Sequence, residues 1–266
     1  PISLTSVFSK LMEKCIVDEL LKFLLTNHMI SKQQHGFLSR KSTETNLLES
    51  LNDWTINIEN SMGQSIAYID FAKAFDSVCH SKLIVKLSKY GIAGNLLLWI
   101  QHFLSGRTHR TREGDCLSSI ASITSGVVQG SCLGPILFLL YVNDLPSVFS
   151  HTVTVKLYAD DIKLYSNVDL HAPATAHELQ DQLNNLCCWA SEWKLPISYS
   201  KCFLFSIGRD CNSNRQITLD GFVIASTKRV VDLGVQFDEK LNCSTHIANI
   251  ELALFSAAFC RAINSL

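Results

Sequence analysis

Two adjacent acids, Asp160 and Asp161, stand in the tetrapeptide Tyr158-Ala159-Asp160-Asp161, between the apolar runs 153–158 and 162–166. Like charges held this close raise each other's pKa unless a cation screens them. In an isolated loop such a pair is usually a solvated turn, because aspartate is a common turn residue. Here hydrophobic strands flank it, which places the turn at the edge of a packed sheet and favours a metal site. A third acid, Asp70, ends the apolar run 66–69 and opens Asp70-Phe71-Ala72-Lys73-Ala74-Phe75-Asp76. Its plain structural alternative is a helix N-cap. A strand carrying Asp70 beside a hairpin carrying Asp160 and Asp161 would gather three carboxylates at one end of a sheet. Hard oxygen donors in that number suit Mg²⁺, which keeps open positions for water and substrate phosphates. Two such ions about 4 Å apart activate an attacking hydroxyl and stabilise a leaving phosphate oxygen. The chemistry implied is nucleotidyl transfer.

The elements that must position these acids are legible from periodicity. Apolar residues at helical spacing predict helices over 7–25, capped by Thr5 or Ser6, and over about 45–59, 82–90 and 95–104. Further helices are expected over 130–145, with Pro135 tolerated near the first turn, over 174–193 and over 246–263. Strands are expected at 65–70, 117–125, 153–158, 162–166, 197–207 and 230–236, with a short hairpin turned by Asp220-Gly221. Strands and helices mix without regular βαβ alternation, so the fold class is α+β rather than a doubly wound sheet.

The chain has 266 residues, 47% of them apolar and 18% charged, which excludes a disordered chain and a coiled coil. No apolar run approaches the roughly 18 residues of a membrane span. Net charge is −1, which argues against a simple nucleic-acid coat protein. The ten cysteines are scattered, with no C-x-x-C pair, and most sit among apolar neighbours in sequence, where a free Cys behaves as a small hydrophobe; a reducing, intracellular protein is expected. Pro1-Ile2-Ser3-Leu4 has no secretory signature and reads as the middle of a longer polypeptide.

Asp70 to Asp76 with Ser77-Val78-Cys79-His80, then Ser125-Gly126-Val127-Val128-Gln129-Gly130-Ser131-Cys132-Leu133-Gly134-Pro135, then Tyr158-Ala159-Asp160-Asp161, follow one another along the chain. In that order they resemble the A, B and C motifs of reverse transcriptases, most closely those of non-LTR (LINE-type, Jockey-like) retrotransposons. Gln34-His35-Gly36-Phe37, Tyr90-Gly91-Ile92, Asn143-Asp144-Leu145-Pro146, Lys201-Cys202 and Asp232-Leu233-Gly234-Val235 extend the resemblance over nearly the whole chain.

The resemblance implies a right-hand polymerase: fingers at about 1–64, a palm with inserted fingers elements at 65–240, and the start of a thumb or connection at 241–266. It implies an antiparallel palm sheet flanked by helices, with the thumb missing or partial. Asp70, Asp160 and Asp161, with the backbone carbonyl of Phe71, would hold two Mg²⁺ ions, for which Mn²⁺ can substitute. Phe75 matches the aromatic gate that excludes a 2′-hydroxyl. Gln129 and Gly130 match the nucleotide-contacting loop, and Arg40 and Lys41 the cations that hold the triphosphate. Lys201 matches a general acid for the pyrophosphate leaving group. Tyr158 and Leu233-Gly234 fall at the primer, and Arg107, Arg110 and Arg112 form a basic stretch that could track a template backbone. Each of these also has a plain alternative: a core Phe75, a solvated Lys201, an ordinary basic loop.

The implied partners are an RNA template, a DNA primer, dNTPs and, on the same polyprotein, an endonuclease domain, with no membrane. The expected setting is a ribonucleoprotein of the nucleus or cytoplasm. Val128, Lys41 and Cys79 depart from the family's usual Pro, Arg and Pro, and none of these removes a metal ligand. The rival readings are an RNA-dependent RNA polymerase or intron maturase, against which Phe75 discriminates in part, and an inactive remnant that only binds nucleic acid.

Overall fold

The computed structural model describes residues 3–168, 175–208 and 216–251. Its centre is a five-stranded sheet of β1 (Gly63–Ile69), β2 (Thr154–Tyr158), β3 (Asp161–Val168), β4 (Phe203–Ile207) and β5 (Ala225–Thr227). The spatial order is β5-β4-β1-β3-β2; every pair is antiparallel except β4 with β5. Because successive side chains alternate between faces, the registers divide the sheet's residues in two. Ala67, Ile69, Ile162, Leu164 and Leu204 lie on one face, while Ile66, Tyr68, Lys163, Tyr165, Phe203 and Phe205 lie on the other.

The first face carries the larger core. Against it pack α3 (His80–Lys89), α5 (Gly134–Val142) and α6 (Thr175–Trp193), through Leu83, Leu87, Leu137, Phe138, Leu183 and Leu186. Eight of the nine residues of α5 are buried, as expected of a helix apolar on all sides. Lys86 ties the three helices together: its Nζ lies 3.7 Å from the centroid of the Trp193 ring and 2.5 Å from both the Tyr141 carbonyl and Asp144 Oδ1. The second face is covered by α2 (Thr43–Glu59), which buries Leu47 and Trp54, and by the hairpin of β6 (Arg229–Asp232) and β7 (Val235–Asp238), which buries Val230 and Phe237. Ser42 and Thr45 close a reciprocal capping box at the start of α2. The remaining long helices are α1 (Val7–Thr26), capped by Ser6, and α4 (Gly94–Leu104).

Several expectations are corrected. The helix expected over 130–145 is confined to Gly134–Val142, because Gly130 takes a φ of 95° and Ser131 Oγ accepts from the Gly134 N–H. The strand expected at 117–125 is two fragments, Cys116–Leu117 and Ala121–Ser122, in an exposed twisted hairpin. The 197–207 strand begins only at Phe203, after a 3₁₀ turn, Tyr199–Lys201. The 230–236 strand is instead the β6–β7 hairpin, turned at Leu233 (φ 46°) and Gly234 (φ 90°). All eight described cysteines are free; Cys202 is buried, and Cys187 and Cys243 are half-buried against the two cores. The last helix spans 244–251 within the described residues. Its expected continuation to 263, Pro1 and Ile2, Cys211 and Cys260 lie outside them. Among the described residues no helix is long and apolar enough to cross a membrane.

Candidate active site

The registers bring the acids together. Ile69 pairs with Ile162, so Asp70 leaves β1 next to Asp161, the first residue of β3, and Asp160 stands in the two-residue turn before it. On the other side Tyr68 pairs with Phe203, which brings Lys201 alongside Asp70. The Lys201 ammonium donates to Asp70 Oδ1 at 3.3 Å, and the Asp70 N–H contacts Cys202 Sγ at 3.4 Å. Asp70 is thus not a helix N-cap: Lys73, in the left-handed region at φ 49°, precedes the short helix Ala74–Ser77.

Burial, followed by repulsion from Asp70, raises the Asp160 carboxyl above its ordinary value. Burial and the neighbouring Asp160, Asp232 and Asp70 push Asp161 up to about 6. These acids are short of compensating positive charge. Asp70, Asp161, Tyr158, Lys201, Leu233 and Gly234 line one pocket of about 280 Å³. Asn46 reaches the same pocket from α2; it is fully buried, its amide donates to the Leu157 carbonyl, and its Oδ1 has no hydrogen-bond partner.

Beneath the acids lies a second polar group that the sequence did not reveal. Lys163, two residues after Asp161 and on the same face, donates to Asp232 Oδ2 at 2.6 Å, and the Tyr68 hydroxyl donates to the same oxygen at 2.9 Å. Both ends of the ion pair are about 95% buried. Burial lowers the Lys163 pKa, with Asp232 opposing, and burial beside Asp232 raises that of Tyr68. The contact pins the Leu233-Gly234 turn to the strand that carries Asp161. A lysine alternating in phase with Asp161 was the available signal, but its partner is 69 residues away.

The family model described as reverse transcriptase (RNA-dependent DNA polymerase) matches residues 1–237. The chain belongs to the reverse transcriptase family. Curated relatives of this reverse transcriptase domain include the RNA-directed DNA polymerase from mobile element jockey of Drosophila melanogaster, 31% identical over 95% of this chain and 28% of the relative. Another is the probable RNA-directed DNA polymerase from transposon BS of the same species, 28% identical over 93% of this chain and 28% of the relative. The chain therefore spans less than a third of the length of these relatives. Among solved structures, apo telomerase from Candida tropicalis matches with a TM-score of 0.59 at 11% identity, over 88% of this chain and 40% of that one. A form of that telomerase truncated from its C-terminal domain matches with a TM-score of 0.57 at 13% identity, over 88% and 45%. At such identities the likeness concerns the fold, a mixed α+β reverse transcriptase architecture.

The other expected site residues of this reverse transcriptase domain lie outside the lining of the pocket at Asp70 and Asp161. Phe71 is buried, its ring tilted against Trp189. Phe75 is half-buried between Phe138, stacked at 4.2 Å, and Phe37, edge-on at 6.1 Å. Gln129 donates through Nε2 to Asp76 Oδ1 at 3.0 Å, and Val127 N–H to the Phe75 carbonyl at 2.8 Å, so the Gln129-Gly130 loop is held beside Phe75. Arg40 is exposed, whereas Lys41 is half-buried and donates to the carbonyls of Lys32 and Gln34. Arg107, Arg110 and Arg112 sit on or beside the projecting hairpin and do not line the pocket; Arg112 pairs with Asp115 at 3.6 Å.

The donor set suits a divalent metal. It consists of carboxylate oxygens, which are hard donors, and for Asp160 and Asp161 burial and then the neighbouring acids raise the pKa. Among the described residues no three His, Cys, Asp or Glu side chains form a preformed cage, and Asp70 is engaged by Lys201.

Proposed function

We propose that this chain is the RNA-directed DNA polymerase core of a non-LTR retrotransposon protein, extending a DNA primer with dNTPs on an RNA template. The observation that carries this is the convergence of Asp70, Asp160 and Asp161 from two adjacent antiparallel strands onto one end of a sheet, beside Lys201 and the Leu233-Gly234 turn. Residues 1–64 then act as fingers, 65–240 as palm with inserted fingers elements, and 241–266 as the start of the thumb.

Asp70, Asp160, Asp161 and the Phe71 carbonyl would hold two Mg²⁺ ions, with Mn²⁺ as a substitute. Metal ions held by these residues would supply Lewis-acid activation of the primer 3′-hydroxyl and charge neutralisation at the phosphates. The protein's own side chains do the rest. Lys201, which donates to Asp70, protonates the leaving pyrophosphate oxygen in this reading. Phe75, held from two sides by rings, presents a fixed edge to the incoming sugar and excludes a 2′-hydroxyl. Gln129 and Gly130 close the nucleotide pocket, and Arg40 meets the triphosphate, with Lys41 shaping the loop that bears it. Tyr158 and the Leu233-Gly234 turn hold the primer end, and Arg107, Arg110 and Arg112 follow the template backbone.

The test is primer extension on poly(rA)/oligo(dT) with dTTP and Mg²⁺. Extension by the wild-type chain, abolished in Asp160→Ala, is expected. Extension that survives Asp160→Ala, or none even when flanking sequence of the longer protein is restored, refutes the assignment.

A further inference from the structure

The turn that carries Asp160 is not self-sufficient. Tyr158 pairs with Asp161, so Ala159 and Asp160 are the two central residues of a tight hairpin. Of these two, Ala159 takes the left-handed φ of 54°. A positive φ at the first central position alone is the type II′ pattern, which glycine fills without cost and alanine does not. Something outside the hairpin must hold it.

The segment 33–36 does so. Gln34 is fully buried, and its side chain brackets Ala159 on both sides. Its Oε1 accepts the Ala159 N–H at 3.0 Å and, from its own segment, the Gly36 N–H at 2.7 Å, while its Nε2 donates to the Ala159 carbonyl at 3.4 Å. The main chain reinforces this: His35 N–H donates to the Leu157 carbonyl at 2.9 Å, and Leu157 N–H to the Gln33 carbonyl at 3.0 Å. The approach is so close that a Cβ on Gly36 would lie 2.4 Å from the Ala159 nitrogen. Residues 33–36 thus form a clip on the outer edge of β2, with one side-chain amide fixing both peptide planes that flank Ala159. The second of those planes leads directly into Asp160.

We propose that Gln34 is a positioning residue for the polymerase reaction: its amide holds the strained Ala159-Asp160 turn, and hence the Asp160 carboxylate, in the reactive geometry. This rests on the catalytic role of Asp160 proposed above. It places in the fingers segment a group that acts through the backbone without touching substrate. It also assigns distinct tasks within Gln34-His35-Gly36-Phe37: Gln34 clamps, Gly36 permits the approach, and Phe37 reaches on to Phe75.

Two variants test it. Gln34→Met removes every clamp bond at similar volume, and Gln34→Glu keeps the acceptor but loses the Nε2 donor. In steady-state primer extension, Gln34→Met should lower kcat by 10-fold or more while KM for dTTP stays within about 2-fold, and Gln34→Glu should fall between it and wild type. Adding Ala159→Gly to Gln34→Met should restore at least half of the lost activity, because glycine adopts the left-handed turn unaided. A merely structural role would not be rescued in this way.

Amide hydrogen exchange supplies a readout independent of activity: the Ala159 N–H should be protected in the wild type and lose at least 10-fold of that protection in Gln34→Met. Wild-type kcat in Gln34→Met, or unchanged Ala159 exchange, overturns the proposal, as does failure of Ala159→Gly to rescue a folded Gln34→Met. Should the wild-type chain not extend primers while exchange still responds to Gln34→Met, the catalytic reading falls and the clamp stands.

Discussion

The buried Lys163–Asp232 pair allows a prediction with a definite magnitude. The two charged atoms are 2.6 Å apart and the side chains 5% and 4% exposed. At an effective dielectric of about 20 their gross attraction is about 6 kcal/mol, and desolvation of both ions offsets most of it. The pair therefore adds little net stability, but removing one partner does not return the protein to neutrality. Lys163→Met strands the Asp232 carboxylate against the Trp54 side of the core with the Tyr68 hydroxyl as its remaining side-chain donor. The expected loss is about 3–5 kcal/mol, or roughly 6–20 °C in Tm at about 2–4 °C per kcal/mol.

Replacing both, as Lys163→Met with Asp232→Leu, should recover most of that loss. Urea titrations followed by tryptophan fluorescence and by far-UV circular dichroism, with coincident transitions, give the double-mutant cycle. A single Lys163→Met costing under about 1 kcal/mol, or a double variant as unstable as the sum of the singles, would refute the view of Asp232 as a charge held in the interior by its partners. The same cycle run on primer affinity should show coupling, because Asp232 anchors the Leu233-Gly234 turn.

Three further outcomes follow from the geometry. Asp161 titrates near 6 in the fold against an ordinary 3.8. Between those values the folded chain holds a proton that the unfolded chain has released, so this group's contribution to stability falls as pH rises through the window. Millimolar Mg²⁺ should therefore raise Tm more at pH 7.5 than at pH 5, and an equal shift at both would count against the carboxylates as its site. Phe75→Ala should raise ribonucleotide incorporation relative to deoxynucleotide by 10-fold or more in primer extension; unchanged sugar discrimination would reject the gate. Glu13, fully buried on α1, accepts the N–H groups of Cys132 and Leu133 just before α5. Glu13→Ala leaves both donors unpaired and should cost about 2–4 kcal/mol in chemical denaturation; a loss below about 0.5 kcal/mol would show that the cap is dispensable.

Local chemistry by itself was enough to determine the long helices, the β2–β3 hairpin and the turn at Asp220-Gly221, where both residues take positive φ. Periodicity and turn preference act over a few residues and so are written in neighbouring letters. The family membership and the three acids were legible for a related reason: the motifs are contiguous and stand in order along the chain. The break at Leu233 was not legible by periodicity, because leucine is a poor choice for φ 46° and only docking of Asp232 onto Lys163 and Tyr68 makes the hairpin worthwhile. The anchoring of the turn before α5 was hidden likewise: beside the local Ser131 hydroxyl, Glu13, some 120 residues earlier, accepts the Cys132 and Leu133 N–H groups. What only the tertiary structure decided is the setting of the acids: Lys201 on Asp70, the Lys163–Asp232 pair beside Asp161, and Gln34 around Ala159, 125 residues away. Those partners meet across adjacent strands and opposing faces, where sequence distance carries no information and burial makes each unmet polar atom costly.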